Sequence, residues 1–196
     1  MKILFLLFSY LFGSIPSGYI FFRIIDKKDI RNFGSGSTGA TNLFRLKGWK
    51  IALPALLIDF LKGVLPVYLA LRIFPDIKFA LFSAILVFIG HCFPVYLKFR
   101  GGKGVATTMG IYAALAFIPF LFSLAIFLVV IGASRYVSLG SLLASFSYPF
   151  FALIFNSKEE IIFLSVILFI LIVARHASNI KRLVKGKERK LGARIR

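Results

Sequence analysis

The sequence predicts an all-α, polytopic integral membrane protein of about seven transmembrane helices, two of them short, with the N-terminus outside and the C-terminus inside. Three observations carry that reading. Hydrophobic residues make up 59% of the 196-residue chain and charged residues 16%, where a soluble domain carries about 25% charged. Mean hydropathy is +0.90 and phenylalanine occurs 24 times, more apolar side chain than one soluble core of this size can bury. Long apolar runs alternate with basic segments along the whole chain. A soluble globular enzyme and a disordered chain are both excluded.

The runs follow in order. Residues 3–22 form the first. They resemble a signal peptide, but no clear small-x-small cleavage site follows, so they read as a retained span. Residues 51–71 and 79–97 form the second and third, and 137–155 and 161–174 the last two. Between them, residues 105–133 are one apolar stretch of 29, against about 20 for a straight span. That stretch is one strongly tilted helix or two short helices broken near Pro119, where the ring removes a hydrogen bond.

Positive charge decides between them. Residues 23–50 hold seven Lys and Arg side chains and the tail, residues 175–196, holds nine. Both belong on the cytoplasmic side only if residues 105–133 count twice. The net charge of +18 then matches anionic lipid headgroups and anionic substrates rather than nucleic acid. A single cysteine, Cys92, excludes an internal disulfide. Two distant histidines and scattered carboxylates supply no usual metal-ligand set, so no metal site is expected.

Three polar segments fall on one face in this topology. The first runs from Gly34 through Ser35, Ser37, Thr41 and Asn42 to Arg45. Its G-x-G-x-x-G at Gly34, Gly36 and Gly39 lacks the βαβ context of a dinucleotide site. Small residues and hydroxyls still suit phosphate, whereas a flexible linker needs neither the fixed amide of Asn42 nor the guanidinium of Arg45. The second holds His91 and Pro94, then Gly101, Gly102, Lys103, Gly104 and Thr107. It fails as a Walker loop, with Leu97 and Gly104 at the required Gly and Ser/Thr positions. Three glycines around one lysine at a helix start nonetheless exceed what a turn requires, and make an anion cradle. In the third, His176 and Asn179 share a helix face, while residues 182–196 read as a solvated, lipid-touching tail. Asp59 and Lys62 fall inside the second run and read as a structural ion pair. His91 reads as a loop-fixing residue as readily as a catalytic imidazole. No G-x-S-x-G elbow supports a serine hydrolase.

Together these segments resemble the bacterial acyl-phosphate-dependent glycerol-3-phosphate acyltransferases, the PlsY family. Ser35-Gly36-Ser37-x-x-x-Thr41-Asn42-x-x-Arg45 looks like the family's first motif. His91-x-Phe93-Pro94 through Gly101-Gly102-Lys103-Gly104-Val105-Ala106-Thr107 looks like its second. Arg175-His176-x-x-Asn179-Ile180-x-Arg182-Leu183-x-x-Gly186-x-Glu188 looks like its third. The resemblance runs over nearly the whole chain and implies one membrane-embedded acyltransferase domain, residues 1–196. It implies acyl transfer from acyl phosphate to the sn-1 hydroxyl of glycerol 3-phosphate, giving lysophosphatidic acid and phosphate. This is the first acylation of phospholipid synthesis.

The resemblance further implies a site on the cytoplasmic face of the bacterial inner membrane. No cofactor is implied, and neither acyl-CoA nor acyl carrier protein as donor. The H-x-x-x-x-D motif of other acyltransferases is missing after His91 and His176. Lys103, His176 and Asn179 are the expected catalytic residues. Ser35, Ser37, Asn42, Arg45, His176 and Asn179 are expected on glycerol 3-phosphate. Thr41, Gly101, Gly102, Lys103, Gly104 and Thr107 are expected on acyl phosphate. The proton acceptor stays open between His176 and a substrate phosphate. A transporter of anionic solutes is the rival reading, but it calls for repeat symmetry and a mid-membrane site that the sequence lacks.

Overall fold

A computed structural model describes residues 1–192, and among them all regular secondary structure is helical. Helix α1 (Lys2–Gly13) and helix α2 (Ser17–Asp26) are one apolar run bent by 42° at Ser14–Pro16, because Pro16 has no amide to continue the ladder. Helix α3 (Ala40–Lys47) follows the first polar loop, and Gly48 at φ 77° ends it. Helix α4 (Trp49–Ile73) is the longest, at 25 residues. Helix α5 (Ile77–Cys92) starts from Asp76, whose carboxylate accepts the Lys78 amide. Then come α6 (Val105–Leu115), α7 (Phe117–Ser134), α8 (Val137–Ile154), α9 (Glu159–Arg175) and α10 (Ala177–Val184).

Four helices are long and apolar enough to cross a membrane alone, and up to six spans form if α1–α2 and α9–α10 each count as one bent span. Residues 105–133 do divide, as the charge argument requires, but at Ala116 rather than at Pro119. Ala116 is extended at φ −152° and ψ 100°, while Pro119 lies in the first turn of α7, where no amide hydrogen is needed. The expectation of two short halves is corrected accordingly. Helix α6 has 11 residues, about 16 Å, whereas α7 has 18 and is long enough to span.

The core forms between α4, α5, α6, α7, α8 and α9. Its centre is a stacked pair, Tyr112 on Tyr148, with ring centroids 3.6 Å apart. Helix α6 lies almost backbone to backbone on α4. A methyl added at Gly63 would sit 2.0 Å from the Thr107 carbonyl oxygen, and one at Gly110 would sit 2.0 Å from that of Phe60. Small residues at such crossings replace the hydrophobic drive that helices lack inside lipid. Large side chains such as Leu128, Val129, Phe163 and Ile170 are exposed on the outer faces, as lipid contact requires.

One charged cluster is buried within the spans. Lys62 Nζ bonds Asp59 Oδ1 at 2.7 Å, and Ser17 donates to the same oxygen at 2.5 Å. The ion pair read from the sequence is thus formed, and it fastens α4 to the bend between α1 and α2.

Candidate active site

The first polar loop is held by its own amide side chain. Asn42, in the first turn of α3, accepts the Ser35 amide and donates to the carbonyls of Phe33 and Ser37. Gly34 and Gly36 take positive φ of 62° and 71°, which turns the loop tightly enough for this stitching. Asn42 thus fixes the loop geometry that presents Ser35 and Ser37, and it lines the same cavity as they do. Arg45, one turn on, is buried. Its Nη2 donates to the Arg189 carbonyl at 3.1 Å, and its Nε has no partner. Burial lowers the Arg45 pKa from its ordinary value, against the pull of Glu188.

The second loop lies on the end of α5. Gly101 and Gly102 donate to the carbonyls of Cys92 and His91, and Gly104 turns at φ 84° into α6. Lys103 projects from this bed and donates to Asn179 Oδ1 at 2.5 Å. Burial brings its ammonium down to about 8; Glu188 opposes this, and Arg182, Arg45 and Arg175 add repulsion.

The third segment bends by 65° between α9 and α10, and His176 sits at the bend, beyond the end of α9. Its Nδ1 faces the Ile172 carbonyl at 2.9 Å, so Nδ1 carries the hydrogen and Nε2 keeps a lone pair. Burial first, then Lys103, hold the imidazole down to about 4, so it is neutral near pH 7. Asn179 donates onward to Glu188, which also accepts from Ser138 and Arg182. Burial pushes the Glu188 carboxyl up, but the bonds from Arg182, Asn179 and Ser138 outweigh it and leave it below its usual range.

Two cavities meet at Lys103. The larger, about 410 Å³, is lined by Ser35, Ser37, Thr41, Asn42, Arg45, Lys103, Gly104, His176 and Asn179, all expected from the sequence. From there it runs along Phe60, Met109, Phe120 and Leu124 between the helices. The smaller, about 320 Å³, is polar and shares Ser35, Ser37 and Lys103 with the first, adding Gly101, Arg175 and Ser178. Gly102 and Thr107 line neither. Gly102 is buried beneath the His91 ring, and Thr107 is fully buried where α6 crosses α4. Of the residues expected on acyl phosphate, Thr41, Gly101, Lys103 and Gly104 are the ones that line a cavity wall.

The sequence placed Glu188 in the third motif without a role, missed Ser138 and Ser141, read Asp59 as structural and left His91 open; all five line the larger cavity. The tail is corrected as well. Residues 185–192 fold back as a strap, held by Glu188, by Arg189 and by the Leu191 amide on the Arg135 carbonyl. Arg194 and Arg196, counted in the positive tail, lie outside the described residues.

The family model for glycerol-3-phosphate acyltransferase matches residues 3–186. The glycerol-3-phosphate acyltransferase of Endomicrobium trichonymphae is 44% identical over 191 residues, 97% of this chain and 96% of the relative. That of Syntrophotalea carbinolica is 40% identical over 96% of both chains. The crystal structure of PlsY (YgiH), an integral membrane glycerol 3-phosphate acyltransferase, matches in its glycerol 3-phosphate form with a TM-score of 0.93. Identity is 36%, over 97% of this chain and 96% of that one. The lysophosphatidic acid form matches with a TM-score of 0.90, at 35% identity over 98% and 96%. Fold and comparisons thus define a membrane-embedded acyltransferase, and the cavity at Lys103 continues between apolar helices. The chain belongs to the glycerol-3-phosphate acyltransferase family typified by PlsY, and its reaction serves phospholipid synthesis.

Proposed function

We propose that the acyl donor is an acyl phosphate and that transfer to the sn-1 hydroxyl of glycerol 3-phosphate occurs at Lys103. The observation that carries this reading is the position of Lys103 in the wall shared by an apolar channel and a polar cavity. One cavity suits a fatty acyl tail, and both offer donors to phosphate. A mixed anhydride is already activated, so the protein supplies positioning and charge rather than a covalent nucleophile. The glycerol hydroxyl oxygen bonds to the acyl carbonyl carbon, the carbon–oxygen bond to phosphate breaks, and phosphate leaves with the electron pair. Lys103 faces the charge that develops on both oxygens. Arg45, Ser37, His176 and Asn179 hold the acceptor, with the free Nε of Arg45 available for a phosphate oxygen. The hydroxyl proton passes either to Nε2 of the neutral His176 or to a substrate phosphate.

The topology proposed is seven membrane segments with the N-terminus outside and the site at the cytoplasmic face of the inner membrane. Its support is that residues from segments 23–50, 98–104 and 175–192 line one cavity, and these segments carry most of the positive charge.

Purified protein in lipid nanodiscs, given acyl phosphate and glycerol 3-phosphate, is expected to release phosphate and lysophosphatidic acid in equal amounts. Acyl-CoA and acyl carrier protein are expected to give no product. Turnover with acyl-CoA alone would overturn the donor assignment.

A further inference from the structure

The buried cluster on α4 is more than a neutralised pair. All three hydrogens of the Lys62 ammonium are taken: by Asp59 Oδ1 at 2.7 Å, by the Ile15 carbonyl at 2.6 Å and by His91 Nδ1 at 3.3 Å. A donor at Nδ1 puts the imidazole hydrogen on Nε2, and that edge of the ring lies against the glycine loop. A methyl on Gly102 would sit 2.2 Å from His91 Nε2. The same residue's carbonyl accepts the Gly102 amide at 3.1 Å, and that of Cys92 accepts the Gly101 amide at 3.2 Å. These carbonyls at the end of α5 have no partner within the helix. From the other side Arg175 grips the Gly102 carbonyl at 2.9 Å. Lys103 is the next residue.

An ion pair that served only to join helices would not need an imidazole. Here two charges are held in the membrane at the cost of desolvation, and the third hydrogen is directed at the ring that supports the cradle. Asp59 and His91 also line the larger cavity, so the cluster forms part of its wall.

We propose that Asp59, Lys62 and His91 are positioning residues: through the His91 ring they fix the Gly101–Gly102 backbone and so the aim of the Lys103 ammonium. The inference rests on the role given to Lys103 above. A misplacement near 1 Å at a catalytic group costs about 10²-fold in rate.

The test is a double-mutant cycle of His91→Ala and Gly102→Ala, reading kcat, both KM values and the melting temperature. Each single variant is expected to lose about 10²-fold in kcat while KM for glycerol 3-phosphate changes little. In the double variant the methyl occupies space the ring has left, so the loss should be no larger than with His91→Ala alone. The neutral pair Asp59→Asn/Lys62→Met removes both charges together and keeps the packing, and it should show the same fall in kcat. Additive losses in the cycle, or normal kcat in either His91→Ala or the neutral pair, overturn the proposal. If His91→Ala does not accumulate as folded protein, the neutral pair decides alone. Wild-type protein run alongside separates the two readings. Its failure to release phosphate sinks the acyl-phosphate reaction, whereas active wild type beside indifferent variants sinks only the positioning role.

Discussion

Lys103 and Asn179 are joined by one hydrogen bond although 76 residues separate them, and Asn179 passes the link on to Glu188. The cation of the glycine loop is therefore aimed by α10 and by the strap after it.

Lys103→Ala is expected to lower kcat by about 10²–10³, the usual loss for one preorganised charge contact. The melting temperature in detergent should hardly change, because the lost bond to Asn179 lies at the cavity wall. Turnover measured beside a melting curve checks both. Normal kinetics would reduce the loop to a turn.

The pH dependence follows from the same group. The reaction as proposed needs the charged ammonium, whose pKa in the free protein is brought down to about 8. Protonation is complete below that value and lost above it, so kcat/KM should fall as pH rises through about 8. Bound phosphates favour the charged form, so the fall in kcat should begin at higher pH. Profiles for wild type and Lys103→Arg are the measurement, and the arginine variant should lose this limb whatever its rate.

Arg45→Lys should raise KM for glycerol 3-phosphate and leave that for acyl phosphate nearly unchanged. The guanidinium spends Nη2 on Arg189 and keeps Nε free, whereas an ammonium cannot make both bonds in one plane. Initial rates with each substrate varied in turn decide this. Equal weakening of both would undo the assignment of the two phosphate positions.

Glu188→Ala removes the acceptor for Asn179, Ser138 and Arg182 together. Leaving buried donors unpaired costs about 1–3 kcal/mol per group, so denaturation should come measurably earlier. The carboxyl is held below its usual pKa, so its stabilisation is present above the unfolded value and is lost as pH falls through the folded one. The destabilisation by Glu188→Ala should therefore shrink in acid.

Cysteine labelling from outside intact cells, in a Cys92-free background, tests the orientation. Asn32→Cys and Lys187→Cys should stay unlabelled and Asn156→Cys should react, all three being exposed positions. Reaction at Lys187→Cys would reverse the topology.

The helices were largely legible in the sequence because lipid constrains both their length and their composition. Residues 137–155 and the helix Val137–Ile154 differ by one position. The break at Ala116 was not legible, since proline marks a boundary but is equally at home one turn inside a helix. Within the loops, residue type gave the chemistry but not its direction. Asn42 resembles a ligand in sequence, and the structure adds that its amide stitches the loop together. Thr107 follows the cradle in sequence, yet its place on α6 turns it toward α4. The strap was hidden by its lysines, although Glu188, the one carboxylate after Glu160 in a strongly basic chain, was a signal. Ser138, Ser141 and Ser145 at helical spacing along an apolar run were another.

If Lys103 serves both phosphates as proposed, a single ammonium in the wall between two cavities cannot serve the two dianions independently. Whichever phosphate arrives first neutralises part of the attraction that draws the second, and reciprocity makes that penalty identical in either order. The two substrates then oppose each other in the ground state, and only the transition state, with its charge spread between them, uses Lys103 in full. On that proposal, sharing one cation would keep the resting complex loose, and the protein's binding energy would appear mainly as speed.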